Sequence, residues 1–199
     1  MELSTPHKQA RSRRFTGERH IEVFRAEKLA NVRRPTVDLV TWRRAVDDML
    51  VKWLDAVAVT QSFEVDERVD LDLPPIGRWL EQVPVSPGRL AFARDLALLI
   101  ETWRRITKLK SGRVQLSTLT TRGCPRFHID AVGMRMLCTY LGPGTEWIPE
   151  PALLRTALAG HRDPRELLIE GASPAHLERF DVGVFKGTAR GQHRFGLVH

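Results

Sequence analysis

The apolar residues of this chain change period near residue 110, and that change limits the fold class. Upstream, Val46, Met49, Leu50, Trp53, Leu54 and Val57 fall at i, i+3, i+4, i+7, i+8 and i+11, one helical stripe. Phe92, Leu96, Leu99, Ile100, Trp103 and Ile106 form a second stripe. Ser86-Pro87 gives it an N-cap and a first-turn proline, and Lys110-Ser111-Gly112 ends it. The spacing predicts helices over about 45–58 and 87–108, packed together on a sheet with Trp53 and Trp103 buried. The acidic stretch 62–75 ends in Pro74-Pro75 and reads as a loop.

Downstream, Val114, Leu116, Thr118 and Thr120 alternate as a strand does. Residues 127–132 and 135–140 read as short extended segments. Gly142-Pro143-Gly144 is a turn, 151–158 a short helix, and Val182 to Phe185 an apolar run closed by Gly187. Residues 195–198 form another apolar run. His20 to Phe24 and Val37 to Trp42 are candidate strands nearer the N-terminus. Helices first and short strands later indicate α+β, a helical layer on an antiparallel sheet or small barrel.

Charge divides the chain further. Nine of the 31 Lys/Arg but only four of the 24 Asp/Glu precede residue 35. Lys8, Arg11, Arg13 and Arg14 have no interleaved aromatics, so nucleic acid is not an expected partner. Residues 1–18 read as a mobile basic leader whose removal leaves the fold intact, and 19–199 as one domain. The helical layer covers about 45–108 and the β-rich site region about 113–199. No apolar run approaches the ~20 residues needed to span a bilayer, and residues 1–34 lack the apolar centre of a secretory signal. Two cysteines, Cys124 and Cys138, make no disulfide framework. A cytoplasmic protein is expected.

His128-Ile129-Asp130 is the sharpest chemical feature. Alternate residues of an extended chain share a face, so imidazole and carboxylate point the same way. A histidine from another strand would complete two histidines and one carboxylate, a facial triad that leaves metal positions open and suits Fe(II). His199, after the run that ends in Leu197-Val198, is the candidate third ligand, with His193 in the preceding turn as its rival. His161 and His176 read as surface positions. Cys124 and Cys138 flank the motif and offer thiolates for zinc, although the C-x3-H-x9-C spacing matches no standard zinc pattern. Residues 138–147, with Thr139, Tyr140, Thr145 and Glu146 around the glycine turn, read as a pocket wall.

Cys124-Pro-Arg-Phe-His-Ile-Asp130, Leu137-Cys-Thr-Tyr140 and Gly142-Pro-Gly-Thr-Glu-Trp147 resemble the bacterial family called domain of unknown function 1826. Val184-Phe-Lys-Gly187 and Leu197-Val-His199 match its closing segments. The resemblance runs from about His20. It implies an antiparallel double-stranded β-helix, jelly-roll or cupin-like, of the Fe(II)/2-oxoglutarate oxygenase type. It also implies a second reading in zinc homeostasis. In the family the last histidine is followed by Arg-Ser-Pro and a strand with another arginine, so the resemblance implies that this chain lacks the last strand, the cosubstrate arginine and one sheet edge. The expectation is therefore Fe(II) on His128, Asp130 and His199, with a small-molecule cosubstrate, 2-oxoglutarate, near Arg135, Lys186 or Tyr140. The alternative is a non-catalytic zinc protein that uses His128 with Cys124, Cys138 or His193.

Overall fold

A computed structural model describes residues 19–57, 61–119, 126–160, 164–188 and 196–199. The expected leader, Cys124, His161 and His193 lie outside them.

The central element is a four-stranded sheet in the order β1-β2-β8-β5. Its strands are β1 (His20–Val23), β2 (Leu39–Trp42), β5 (Met134–Cys138) and β8 (Val182–Lys186). β1 runs parallel to β2, and the other two pairings are antiparallel. β8 is buried along its whole length, which is why Val182 to Phe185 read as an apolar run and not as an alternation.

Strand parity divides the sheet into two faces. On one, Val40, Val182 and Val184 meet Leu29 and Val32 of a 3-10 helix (Ala26–Arg33) and Leu99 and Ile106 of α3 (Pro87–Thr107). Met134, Met136 and Cys138 of β5 line that face. On the other, Leu39 and Phe185 meet Trp147, Leu197 and Leu137. Trp147 belongs to β6 (Glu146–Trp147), which pairs with β7 (Ala175–His176) as a separate two-stranded sheet.

The helical layer forms where the stripes predict, although Met49 of the first stripe is exposed. The Ser86 side chain accepts from Arg89 N, and Lys108 ends α3 in the left-handed region at φ 61°. α1 (Asp48–Val57) buries Leu50 and Leu54 against Phe92 and Leu96 of α3. Trp53 and Trp103 are partly buried, with the Trp53 ring 5.5 Å from Phe92.

The acidic segment after α1 corrects the loop expectation. β3 (Glu64–Asp70) is a strand, paired over seven residues with β4 (Ser111–Ser117). Val65 and Val69 alternate with charged residues and face Ile100, Trp79 and Val114. Glu64, Asp66, Arg68 and Asp70 sit on the outer face, where Arg113 forks Asp66 at 2.5 Å on both oxygens, while Glu67 has the inner parity and accepts from Trp79 Nε1. α2 (Ile76–Trp79) follows Pro74-Pro75. Residues 151–158 form 3-10 turns, Glu150–Ala152 and Arg155–Gly160, and no α-helix. The architecture is thus α+β, with one mixed four-stranded sheet and two antiparallel pairs among the described residues. The closed jelly-roll expectation is met only at that coarser level.

One half-buried histidine is expected to make the fold acid-sensitive. His20 lies against the Trp147 ring at 4.7 Å, with Nε2 3.0 Å from Thr41 Oγ1. Burial pushes its pKa from 6.5 down to about 4. Between those values the unfolded chain binds a proton that the folded chain refuses, so stability falls as pH drops through that window. The expected loss from His20, discounted for partial solvent access, is about 2 kcal/mol. His20→Gln is expected to flatten the pH dependence of the urea midpoint across the window without abolishing it, since His199 is also held neutral. An unchanged slope would show that His20 does not contribute.

Candidate metal centre

The carboxyl-terminal segment is placed by backbone pairing. Leu197 N donates to Lys186 O at 3.0 Å, and Ile148 N donates to Val198 O at 2.9 Å. His128 and His199 then exchange both bonds: His128 N to His199 O at 2.9 Å, and His199 N to His128 O at 3.0 Å. Residues 127–130 belong to no strand and 131–133 bend, so of the extended segment expected over 127–132 the structure shows only this pairing at His128. That pairing holds the segment against residue 199. Thr188 N donates to Asp130 O at 2.9 Å, which fixes the next residue of parity.

This pairing brings His128, Asp130 and His199 together. One ligand atom from each lies within 4.8 Å of the other two. His128 Nε2 is 3.6 Å from Asp130 Oδ1, and His199 Nε2 is 3.6 Å from Asp130 Oδ2. Each Nδ1 faces a carbonyl, Arg126 O at 3.1 Å and Leu197 O at 3.4 Å. Donation from Nδ1–H leaves the Nε2 lone pair for a metal, the orienting device common behind histidine ligands. The two rings are 4.7 Å apart, and the His199 ring rests on Phe185 at 4.6 Å.

Burial within the cluster is uneven. The side chains of Asp130 and His199 are 8% and 6% exposed, whereas His128 and Arg135 are 41% and 35% exposed. Burial lowers the His199 pKa, and the His128 ring lowers it further, against the attraction of Asp130. A neutral imidazole is the form that binds a metal. Arg135 Nε lies 2.7 Å from Asp130 Oδ2, but its N–H is not aligned, and the buried Oδ2 accepts no hydrogen bond. A shielded carboxylate oxygen without a donor is costly in a plain core. It fits a position meant for a cation. Two imidazoles and one carboxylate are also the donor set for a divalent transition metal.

Of the other sequence candidates among the described residues, Arg135 reaches the cluster and Lys186, Tyr140 and Cys138 lie elsewhere. Arg135 is on β5 opposite Phe185, on the His199 face, and its partnership with Asp130 could not be read without that register. Lys186 has the opposite parity. It is buried, and its Nζ donates to Arg34 O at 2.7 Å. Tyr140 and Cys138 join a different buried network. Arg44 forks Asp95 at 2.5 and 2.9 Å, Tyr140 OH donates to Asp95 Oδ2 at 2.6 Å, and Arg44 Nη2 lies 3.4 Å from Cys138 Sγ. Burial pushes the Cys138 thiol up to about 11, away from the thiolate a metal needs. Glycines complete the site. A Cβ on Gly187 would overlap the carbonyl oxygens of Asp130 and Val132, and one on Gly196 would overlap Ile129.

The family model described as protein of unknown function (DUF1826) matches residues 25–199. The chain belongs to the DUF1826 family. No curated protein and no solved structure matches it. The DUF1826 match takes in all three ligand candidates and Arg135, and it ends on the residue that completes the cluster. Among the described residues of this DUF1826 chain, no helix is long and apolar enough to cross a membrane.

Proposed function

We propose that this protein binds one divalent metal on His128, Asp130 and His199, and that it is a non-haem Fe(II)/2-oxoglutarate oxygenase-like protein. The observation that carries the reading is the convergence of two Nε2 atoms on the two oxygens of one buried carboxylate. Three protein donors leave coordination positions for a small-molecule cosubstrate and oxygen. Bound Fe(II) would supply the redox chemistry. The chain's own residues have other tasks. Asp130 and His199 hold the ion from the buried side, His128 closes the exposed side, and Phe185 keeps water from the back of the His199 ring. In this reading the four-stranded sheet and the β6–β7 pair are the facing sheets of a double-stranded β-helix. Their shared cluster of Leu39, Phe185, Trp147 and Leu197 supports that view. The setting is cytoplasmic, where Fe(II) and 2-oxoglutarate are available.

The alternative, a non-catalytic zinc protein of metal homeostasis, would use the same three donors, since zinc also accepts histidine and carboxylate. Cys138 is not available to it, facing the helical layer on the other side of the sheet. Anaerobic titration separates the readings. Fe(II) uptake of one ion per chain, followed by a visible charge-transfer band on adding 2-oxoglutarate, is expected, and His199→Ala is expected to remove both. Uptake that survives His199→Ala would place the ion elsewhere and end the proposal. Tight Zn(II) uptake without any band would favour the zinc reading.

A further inference from the structure

We propose, on the metal reading of the cluster given above, that Arg135 changes partners with metal occupancy. It neutralises Asp130 in the metal-free protein and turns to a small carboxylate anion when a divalent cation holds Asp130.

The quality of the Arg135 contact is the first reason. Elsewhere among the described residues, arginine meets a structural carboxylate with an aligned hydrogen bond, single from Arg19 on Asp38 and from Arg43 on Asp181 and forked in other pairs. Arg44 forks Asp95 at 2.5 and 2.9 Å, Arg155 forks Glu150 at 2.7 and 2.5 Å, and Arg113 forks Asp66. Asp130 is more buried than Glu150 or Asp66, yet its Oδ2 receives no aligned N–H from Arg135. The oxygen that Arg135 approaches is Oδ2, the one 3.6 Å from His199 Nε2. A metal shared with His199 would compete for that oxygen directly.

Charge is the second reason. Without metal, Asp130 and Arg135 balance. A divalent cation on neutral imidazoles leaves two excess positive charges in a partly desolvated pocket, and an anion is the simplest compensation.

Access is the third. Asp130 and His199 are covered, whereas His128 and Arg135 border solvent. An anion arriving from water therefore meets the metal and the guanidinium together. Arg135 stands on β5 opposite Phe185, so the exchange needs only side-chain rotation. Guanidinium matches a carboxylate in two-point geometry, which sets the ligand class.

Linkage makes this testable, because an anion that is bound only with metal must tighten metal binding equally. The experiment titrates Mn(II) into the full chain, with and without millimolar succinate, and reads free Mn(II) by electron paramagnetic resonance. In the native protein succinate is expected to tighten Mn(II) on the order of tenfold. Arg135→Gln is expected to bind Mn(II) several-fold more tightly without succinate and to lose the succinate effect. Arg135→Lys keeps a charge without the fork and is expected to retain a reduced effect; it also decides the matter if Arg135→Gln fails to fold. Succinate dependence in either variant equal to that of the native protein overturns the role of Arg135. Mn(II) uptake that is absent, or unaffected by Asp130→Asn, overturns the metal reading and this proposal with it. Uptake that needs Asp130 but ignores Arg135 and succinate overturns this proposal alone.

Discussion

Asp130→Asn is expected to weaken metal binding by more than about a hundredfold while leaving the metal-free fold at least as stable. Loss of an outer partner alone costs about 10–100-fold in metal affinity, and Asp130 is a donor itself. The stability half of the expectation follows from how the carboxylate is held. Its side chain is shielded, and Oδ2 receives no aligned donor. Retaining such a charge costs several kcal/mol before its ion pair offsets part of it. Asparagine keeps the shape and removes the charge, and Arg135 is exposed enough to be hydrated when its partner is gone. The net change in unfolding free energy should lie between about zero and 2 kcal/mol in favour of the variant. Asp95 is the contrast. It is forked by Arg44 and accepts from Tyr140, so Asp95→Asn should destabilise by roughly 3 kcal/mol and leave metal affinity alone. Urea midpoints and Mn(II) titrations on the two variants test this. A strongly destabilised Asp130→Asn would make Asp130 a structural residue.

The split between what the sequence disclosed and what it hid follows from the range of each interaction. The two helical stripes were legible because their cause is local spacing, and α1 and α3 lie where Leu50, Leu54, Phe92 and Leu96 put them. β3 was hidden by composition. Glu64, Asp66, Glu67 and Asp70 suggested a loop, although Val65 and Val69 carried the two-residue alternation that faces Ile100. His128 and Asp130 were legible as a same-side pair, since parity needs no partner. The partner of Asp130 was not, because Arg135 reaches it only through the register of β5 on β8. Lys186 was misplaced for a related reason. Its charge suggested a site contact, but alternation from Phe185 sends it to the opposite face, to Arg34 O. The network of Tyr140 and Cys138 was hidden too, because their companions Arg44 and Asp95 come from segments far away in sequence.

Gly187→Ala is expected to be the most damaging single methyl that can be added near the cluster. The reason is what stands beside it. The added Cβ would overlap the backbone oxygens of Asp130 and Val132, and backbone held by hydrogen bonds cannot step aside as a side chain end can. Gly187 N is itself bonded to Gly133 O at 3.3 Å, and the next residue, Thr188, donates to Asp130 O at 2.9 Å. To admit the methyl, residues 130–133 must move away from β8, and Asp130 leaves His199. Overpacking against rigid neighbours costs about 3 kcal/mol or somewhat more. In a chain of this size that lowers the melting temperature by roughly 6–12 °C. The same displacement should weaken metal binding by about tenfold or more, although Gly187 offers no ligand. Gly133→Ala is the control. Nothing lies within 4 Å of a Cβ at that position, and it belongs to the same loop, so its melting temperature and metal affinity should stay near native. Equal losses in the two variants would assign the effect to loop stiffness. Native behaviour in Gly187→Ala would mean that the loop is not clamped against β8 and that Asp130 is positioned by something other than this close approach.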